Sequence, residues 1–146
     1  RYPGQNILWQ KIENYMPYEV AIGPVTGYRQ IDDWIETEGR VTRTFYELKG
    51  EERTYSEVYL NYLNALNAQD FEILAEGLNP DRKGTGLGSG SWIGVAYAAN
   101  AITAPGPQNS LFAGTASSGG AGSIVARKER AAGTAYVLDR CANRYY

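Results

Sequence analysis

The stretch that most limits how this chain can fold runs from Glu38 to Glu76, EGRVTRTFYELKGEERTYSEVYLNYLNALNAQDFEILAE. Its local signals follow one another without conflict. Arg40 to Leu48 is rich in Val, Thr, Phe and Tyr, which suit a pleated, half-buried surface, so it reads as a strand. Lys49-Gly50-Glu51-Glu52 is a charged turn. Thr54 precedes Glu57 by three residues, the spacing at which hydroxyl and carboxylate each satisfy an open backbone donor at a helix start. Tyr55, Tyr59, Tyr62 and Leu66 then recur at helical spacing, Val58 and Leu63 widen the stripe, and Asn61, Asn64 and Asn67 face away. A helix is expected over Tyr55 to Gln69, its stripe packed into a core rather than lining a ligand box. After Asp70, the alternation of Phe71, Ile73 and Ala75 gives the next strand.

Upstream, Arg1 to Gln5 is a Pro-Gly turn, and Asn6 to Tyr15, with Ile7, Trp9 and Ile12, reads as a first strand. A break is expected at Met16-Pro17. Tyr18, Val20 and Ile22 then alternate with Glu19 and Ala21 as a second strand, which Gly23-Pro24 ends. Thr26 to Thr37 mixes its signals and reads as a connection.

Downstream, glycine, alanine and serine dominate from Gly77 to Gly122. Within this run Trp92 to Thr103 is expected as a second, short helix whose small residues permit close packing, and Asn109 to Gly122 as a long loop. Ser123 to Arg130 and Thr134 to Cys141 alternate on either side of Ala131-Ala132-Gly133 and read as a hairpin, with a short C-terminal tail after it. The whole is expected to be a single α+β domain over residues 1–146. It would be an antiparallel sheet of five to six strands, with the long helix on one face.

The 14 basic and 16 acidic residues, a net charge of -2, remove the electrostatic case for general nucleic-acid binding. No apolar run approaches the roughly 20 residues that a membrane-spanning helix requires. Cys141 is the one cysteine, so no disulfide can form within the chain. The chain has no histidine, which excludes histidine-based triads and histidine-ligated metals.

The glycine run Gly84 to Gly90, preceded by Arg82-Lys83, is the sharpest local candidate for a ligand site. Backbone donors in such runs can cradle an anion, with Lys83, Gly84, Gly86, Gly88 and Gly90 as the loop. Yet no Lys and Ser/Thr follow its last glycine, as a phosphate loop requires. Ser89 stands where a dinucleotide loop needs its third glycine. A surface loop is the favoured reading, and nucleotide or small-ligand binding the alternative. The acidic pairs Asp32-Asp33, Glu36 with Glu38, and Glu51-Glu52 lie beside turn signals, where solvated charge is the default and neither catalysis nor calcium binding is expected. No Ser-x-x-Lys or Gly-x-Ser-x-Gly motif offers a nucleophile beside a base.

Twelve tyrosines set the chain apart, since each joins an apolar body to a polar tip and suits contact surfaces. Tyr2, Trp9, Tyr18, Trp92, Tyr145 and Tyr146 are the candidates for an interaction surface, the terminal pair foremost. Trp9, Trp34 and Trp92 could also build the aromatic platform of a glycan-binding module.

Several blocks carry a resemblance: RYPG (Arg1 to Gly4), AIGPV (Ala21 to Val25), EGRVTRTFYEL (Glu38 to Leu48), NYLNALNAQDFEIL (Asn61 to Leu74), and GGAGSIVARKER followed by GTAYVL (Gly119 to Leu138). In this order they resemble a bacterial envelope domain family of unknown function whose members often precede an OmpA-like, peptidoglycan-binding domain. The resemblance implies export to the periplasm, the outer membrane or beyond, and an interaction role. It carries no catalytic residue, and peptidoglycan anchoring is not carried over because the OmpA-like domain does not follow Tyr146 in this sequence. The expected function is a non-enzymatic, exported domain that binds a protein partner or copies of itself and needs no cofactor.

Overall fold

The computed structural model describes residues 5–28, 30–48, 55–79 and 121–142, together with Trp92, Val95 and Ala99. Their elements run β1 (Gln5–Ala21), β2 (Val25–Gly27), β3 (Gln30–Ile31), β4 (Trp34–Leu48), α1 (Tyr55–Ala68), β5 (Glu72–Asn79), β6 (Ala121–Arg130) and β7 (Gly133–Ala142). The fold is α+β: several antiparallel strands with one helix packed on them. The single sheet of five to six strands is corrected to three sheets among the described residues: β1-β4, β2-β3 and β5-β6-β7.

β6 is the centre of the molecule. It lies between β5 and β7, and its two faces serve two different cores. Ile124 and Ala126 join Val58, Tyr59 and Leu66 of α1, with Phe71, Ile73 and Val137 packed at the margin. Val125 turns the other way and joins Ala75, Trp92, and Val20 and Ala21 of β1. Because both faces are covered, GSIVA (Gly122 to Ala126) is buried throughout. In β5 a register shift between Ile73 and Ala75 moves the strand from one core to the other. The β6–β7 turn, Ala131-Ala132, forms as expected. Gly133 there adopts φ +124, a conformation that glycine reaches without a Cβ penalty.

The helical stripe holds. Val58, Tyr59 and Leu66 are buried, Tyr62 and Leu63 half-buried, and Asn61, Asn64 and Asn67 exposed. The helix ends in a left-handed cap: Phe71 N–H donates to Leu66 O at 3.0 Å and Asp70 N–H to Asn67 O at 3.1 Å. Asp70 takes φ 63 to allow it. The last turn of α1 carries no basic residue of its own. Lys128 of β6 supplies the cation instead, donating to Gln69 O at 2.8 Å with its ammonium 5.6 Å from the Phe71 ring. Thr54 and the Lys49–Glu52 turn lie outside the described residues. Of the expected second helix, Trp92, Val95 and Ala99 are helical and the remainder lies outside the described residues.

β1 and β4 form one long antiparallel ribbon. The expected break at Met16-Pro17 is corrected: β1 runs straight through it, and Pro17 pairs with Glu38. Proline is tolerated because β1 is paired on one side only among the described residues, so its missing N–H need cost no ladder bond. Register shifts between Ile7 and Trp9 and between Glu13 and Met16 each insert one extra residue into β1. They account for the 17 residues of β1 against the 15 of β4. The expected connection from Thr26 to Thr37 resolves into β2, β3 and the first residues of β4. At the closed end Ile22 N–H donates to Asp33 O at 2.9 Å. Gly23 is buried there, and a Cβ on it would stand 2.6 Å from that of Asp33.

Candidate interaction surface

The ribbon has two halves with different surroundings. In the inner half, Val20 and Ala21 are buried in the core, and Tyr18, Trp34 and Ile35 pack against it. Thr37 Oγ1 donates to Tyr18 O at 2.9 Å and ties the two strands together. In the outer half, Gln5–Pro17 against Glu38–Leu48, none of the described side chains is buried and none joins either core. Ile12 is 46% exposed and Tyr15 65%, with Ile7 exposed beside them.

Polar contacts run along this outer half. Gln10 Nε2 donates to Thr44 Oγ1 at 2.9 Å, and Lys11 and Glu13 form an ion pair of 3.2 Å along one face. The Tyr15 hydroxyl donates to Glu38 Oε2 at 2.6 Å, and this hydrogen bond to a carboxylate holds the phenol above its ordinary pKa. Arg43 stands over the Tyr18 ring at 5.3 Å with Met16 Sδ 3.9 Å away, closing the boundary between the halves.

At the closed end the carboxylate of Asp32 accepts from Gln30 Nε2 and Thr26 Oγ1, both at 2.8 Å. These bonds, that from Gln30 first, hold it below the usual carboxylate pKa. They occupy Asp32 in shaping the β2–β3 turn. Glu36 and Glu38 are exposed, and Glu51-Glu52 lies outside the described residues. Among the described residues no three His, Cys, Asp or Glu side chains are grouped to hold a metal ion.

The residues singled out for contact are scattered by the fold. Trp92 is corrected from surface to core: it is 1% exposed, and its Nε1 donates to Gly23 O at 2.8 Å. Tyr18 is half-buried at the ribbon's boundary. Trp9 lies in β1 opposite Phe45, with its side chain outside the described set. Trp34 is half-buried and donates through Nε1 to Ile31 O, so neither described indole forms an exposed platform. Tyr2, Tyr145, Tyr146 and the loop of Lys83, Gly84, Gly86, Gly88 and Gly90 lie outside the described residues. Tyr15 and Tyr28, which the sequence also offers as contact tyrosines, are exposed, whereas Ile12 escapes notice in the sequence because the alternation places it in an ordinary half-buried strand.

A groove of about 380 Å³ opens beside the start of α1, lined by Ser56, Glu57, Tyr59, Leu60 and Leu78. Its lining is mostly apolar, and the hydroxyl of Tyr59 is turned to Glu76 Oε2 at 3.1 Å. No helix among the described residues is long and apolar enough to cross a membrane. Comparison with protein-family models, curated proteins and solved structures gave no match.

Proposed function

We propose that this chain is an exported, non-enzymatic interaction domain, and that the outer half of the β1–β4 ribbon is the arm that engages a protein partner. One observation carries the reading. The strand pairs continue from the core out to Gln5↔Leu48, yet no described side chain of that outer half is buried. A two-stranded hairpin is marginal in water by itself, and a third strand or a covering surface makes it stable. Both ribbon edges are open among the described residues, and an open edge recruits strands. The missing histidine, the engagement of Asp32 by Gln30 and Thr26, and the exposure of Glu36 and Glu38 support a reading without bond-making chemistry.

A photocrosslinking residue placed at Tyr15, and as a control at exposed Asn64 on α1, tests the arm in cells that make the protein. Tyr15 should give a discrete product and Asn64 none; equal yields from both would end the reading. The exported location is supported by the resemblance of the sequence blocks above. Cell fractionation tests it, and recovery of the protein only with cytosolic markers would count against export.

A further inference from the structure

We propose that the arm's partner is a second copy of this chain, joined through the free edge of β1 in an antiparallel register centred on Ile12. This rests on the reading of the ribbon as an interaction arm and names what it binds. Between its two bulges, Trp9 to Glu13 pairs in unbroken register with Phe45 to Val41, so the backbone groups of every second residue are left on its free side. Among the described residues that side is unpaired.

Symmetry and charge together narrow the register. Two identical antiparallel strands joined edge to edge are related by a two-fold axis normal to the sheet, and that axis keeps each side chain on its own face. Residues facing across the axis must then lie an even number apart, so the axis passes through a residue. Centring on Lys11 sets lysine against lysine, and centring on Glu13 sets glutamate against glutamate. Centring on Gln10 sets Lys11 against Trp9 and leaves both charges without a partner. Centring on Ile12 sets Lys11 against Glu13 of the second copy, twice, and Ile12 against Ile12. The ion pair now made within the strand at 3.2 Å thus has a counterpart across the interface.

Ile12 itself supports that centre. It lies opposite Thr42, beside the bonded pair Gln10 and Thr44, and is an exposed apolar side chain on a polar face. In the dimer its contact is its own copy. On the outer edge of β4, Arg43 and Glu47 are an even number of residues apart about Phe45, but the Arg43 guanidinium is held over the Tyr18 ring beside Met16; Glu38 lies an odd number of residues from Arg43, and it can meet Arg40 only across Gly39. That glycine's φ of +146 interrupts the regular strand. The product is a four-stranded sheet in the order β4-β1-β1-β4, past the size at which sheets become stable.

Sedimentation of the whole chain, with folding checked by circular dichroism, tests the register through Lys11→Glu and Glu13→Lys. Wild type should dimerise, and each single reversal should weaken the dimer roughly tenfold or more, since it turns two attractions into two repulsions. Mixing the two variants should restore a dimer with one chain of each kind, because the acidic pair of one chain then faces the basic pair of the other. The clash within each chain is not relieved by mixing, so only an interface explains recovery. A wild type that stays monomeric at its highest attainable concentration overturns the proposal, as does a mixture that regains no dimer. A dimer that neither reversal weakens, with the Tyr15 crosslink intact, overturns the register and leaves the ribbon reading standing. Loss of the crosslink ends both.

Discussion

Asp70 holds the left-handed position of a helix cap at φ 63, a place where a Cβ carries a cost that glycine avoids. What the residue contributes to the cap is its backbone N–H, which donates to Asn67 O. Asp70→Gly should therefore stabilise the protein by about 0.5–1 kcal/mol, after glycine's own entropic cost is subtracted. Asp70→Ala should gain nothing, since the Cβ remains, and urea unfolding of the two variants makes the comparison. Asp32 provides the matching case for charge. Its carboxyl pKa lies below the ordinary value because the ionised form accepts from Gln30 and Thr26. A group depressed in the folded state stabilises above its unfolded pKa, near 3.9, and that contribution fades as pH falls through the lower folded value. Its NMR titration should have an acid-shifted midpoint that moves back up in Gln30→Ala. An unchanged midpoint would remove that hydrogen bond as the cause.

Helix α1 depends on a cation from another element. Its last turn has none, and Lys128 reaches across from β6 to the carbonyl of Gln69 at 2.8 Å. Lys128→Met should cost about 1 kcal/mol through the lost charge-assisted bond and helix-dipole contact, while Lys128→Arg retains most of it. Equal losses in both variants on urea unfolding would assign the effect to packing on Phe71 instead. A contact of this kind is invisible in the sequence, because it joins residues 59 apart. The local signals were legible: the stripe from Val58 to Leu66, the strand after Asp70, and the hairpin turned at Ala131-Ala132. The ribbon was legible only in pieces. Its second bulge, between Glu13 and Met16, changes which face the alternation addresses, and Pro17 beside it imitates a stop. Trp34 to Thr37 carried mixed local signals, and it is a strand because β1 lies opposite. The division into three sheets is likewise a matter of distant pairing, and so is the retreat of Trp92 into the core.

Across the whole molecule, one buried indole connects the ribbon to the rest. Trp92 lies in one core cluster with Val20 and Ala21 of β1, Ile31 of β3, Ala75 of β5 and Val125 of β6, and its Nε1–H is given to Gly23 O at 2.8 Å. The closed end of the ribbon is thus fastened by this shared core and by one hydrogen bond, while the outer half rests on cross-strand contacts alone among the described residues. Stability should therefore be graded along the ribbon rather than uniform. Trp92→Phe keeps most of the aromatic volume but leaves the Gly23 carbonyl buried without this donor, at a cost of about 1–3 kcal/mol. Amide hydrogen exchange shows where that loss falls. In the variant, Ile22, Ile31 and Trp34 should lose protection first, and Ile124 to Ala126 last, because β6 is paired on both edges and its face toward α1 is untouched by the substitution. In the proposed dimer, those amides from Gln10 to Glu13 that point away from β4 should follow a different variable, the protein concentration, since their acceptors would lie on the second copy. A uniform loss from Gln10 through Ala126 would mean that ribbon and core unfold as one unit. The arm would then have no separate equilibrium for a partner to shift.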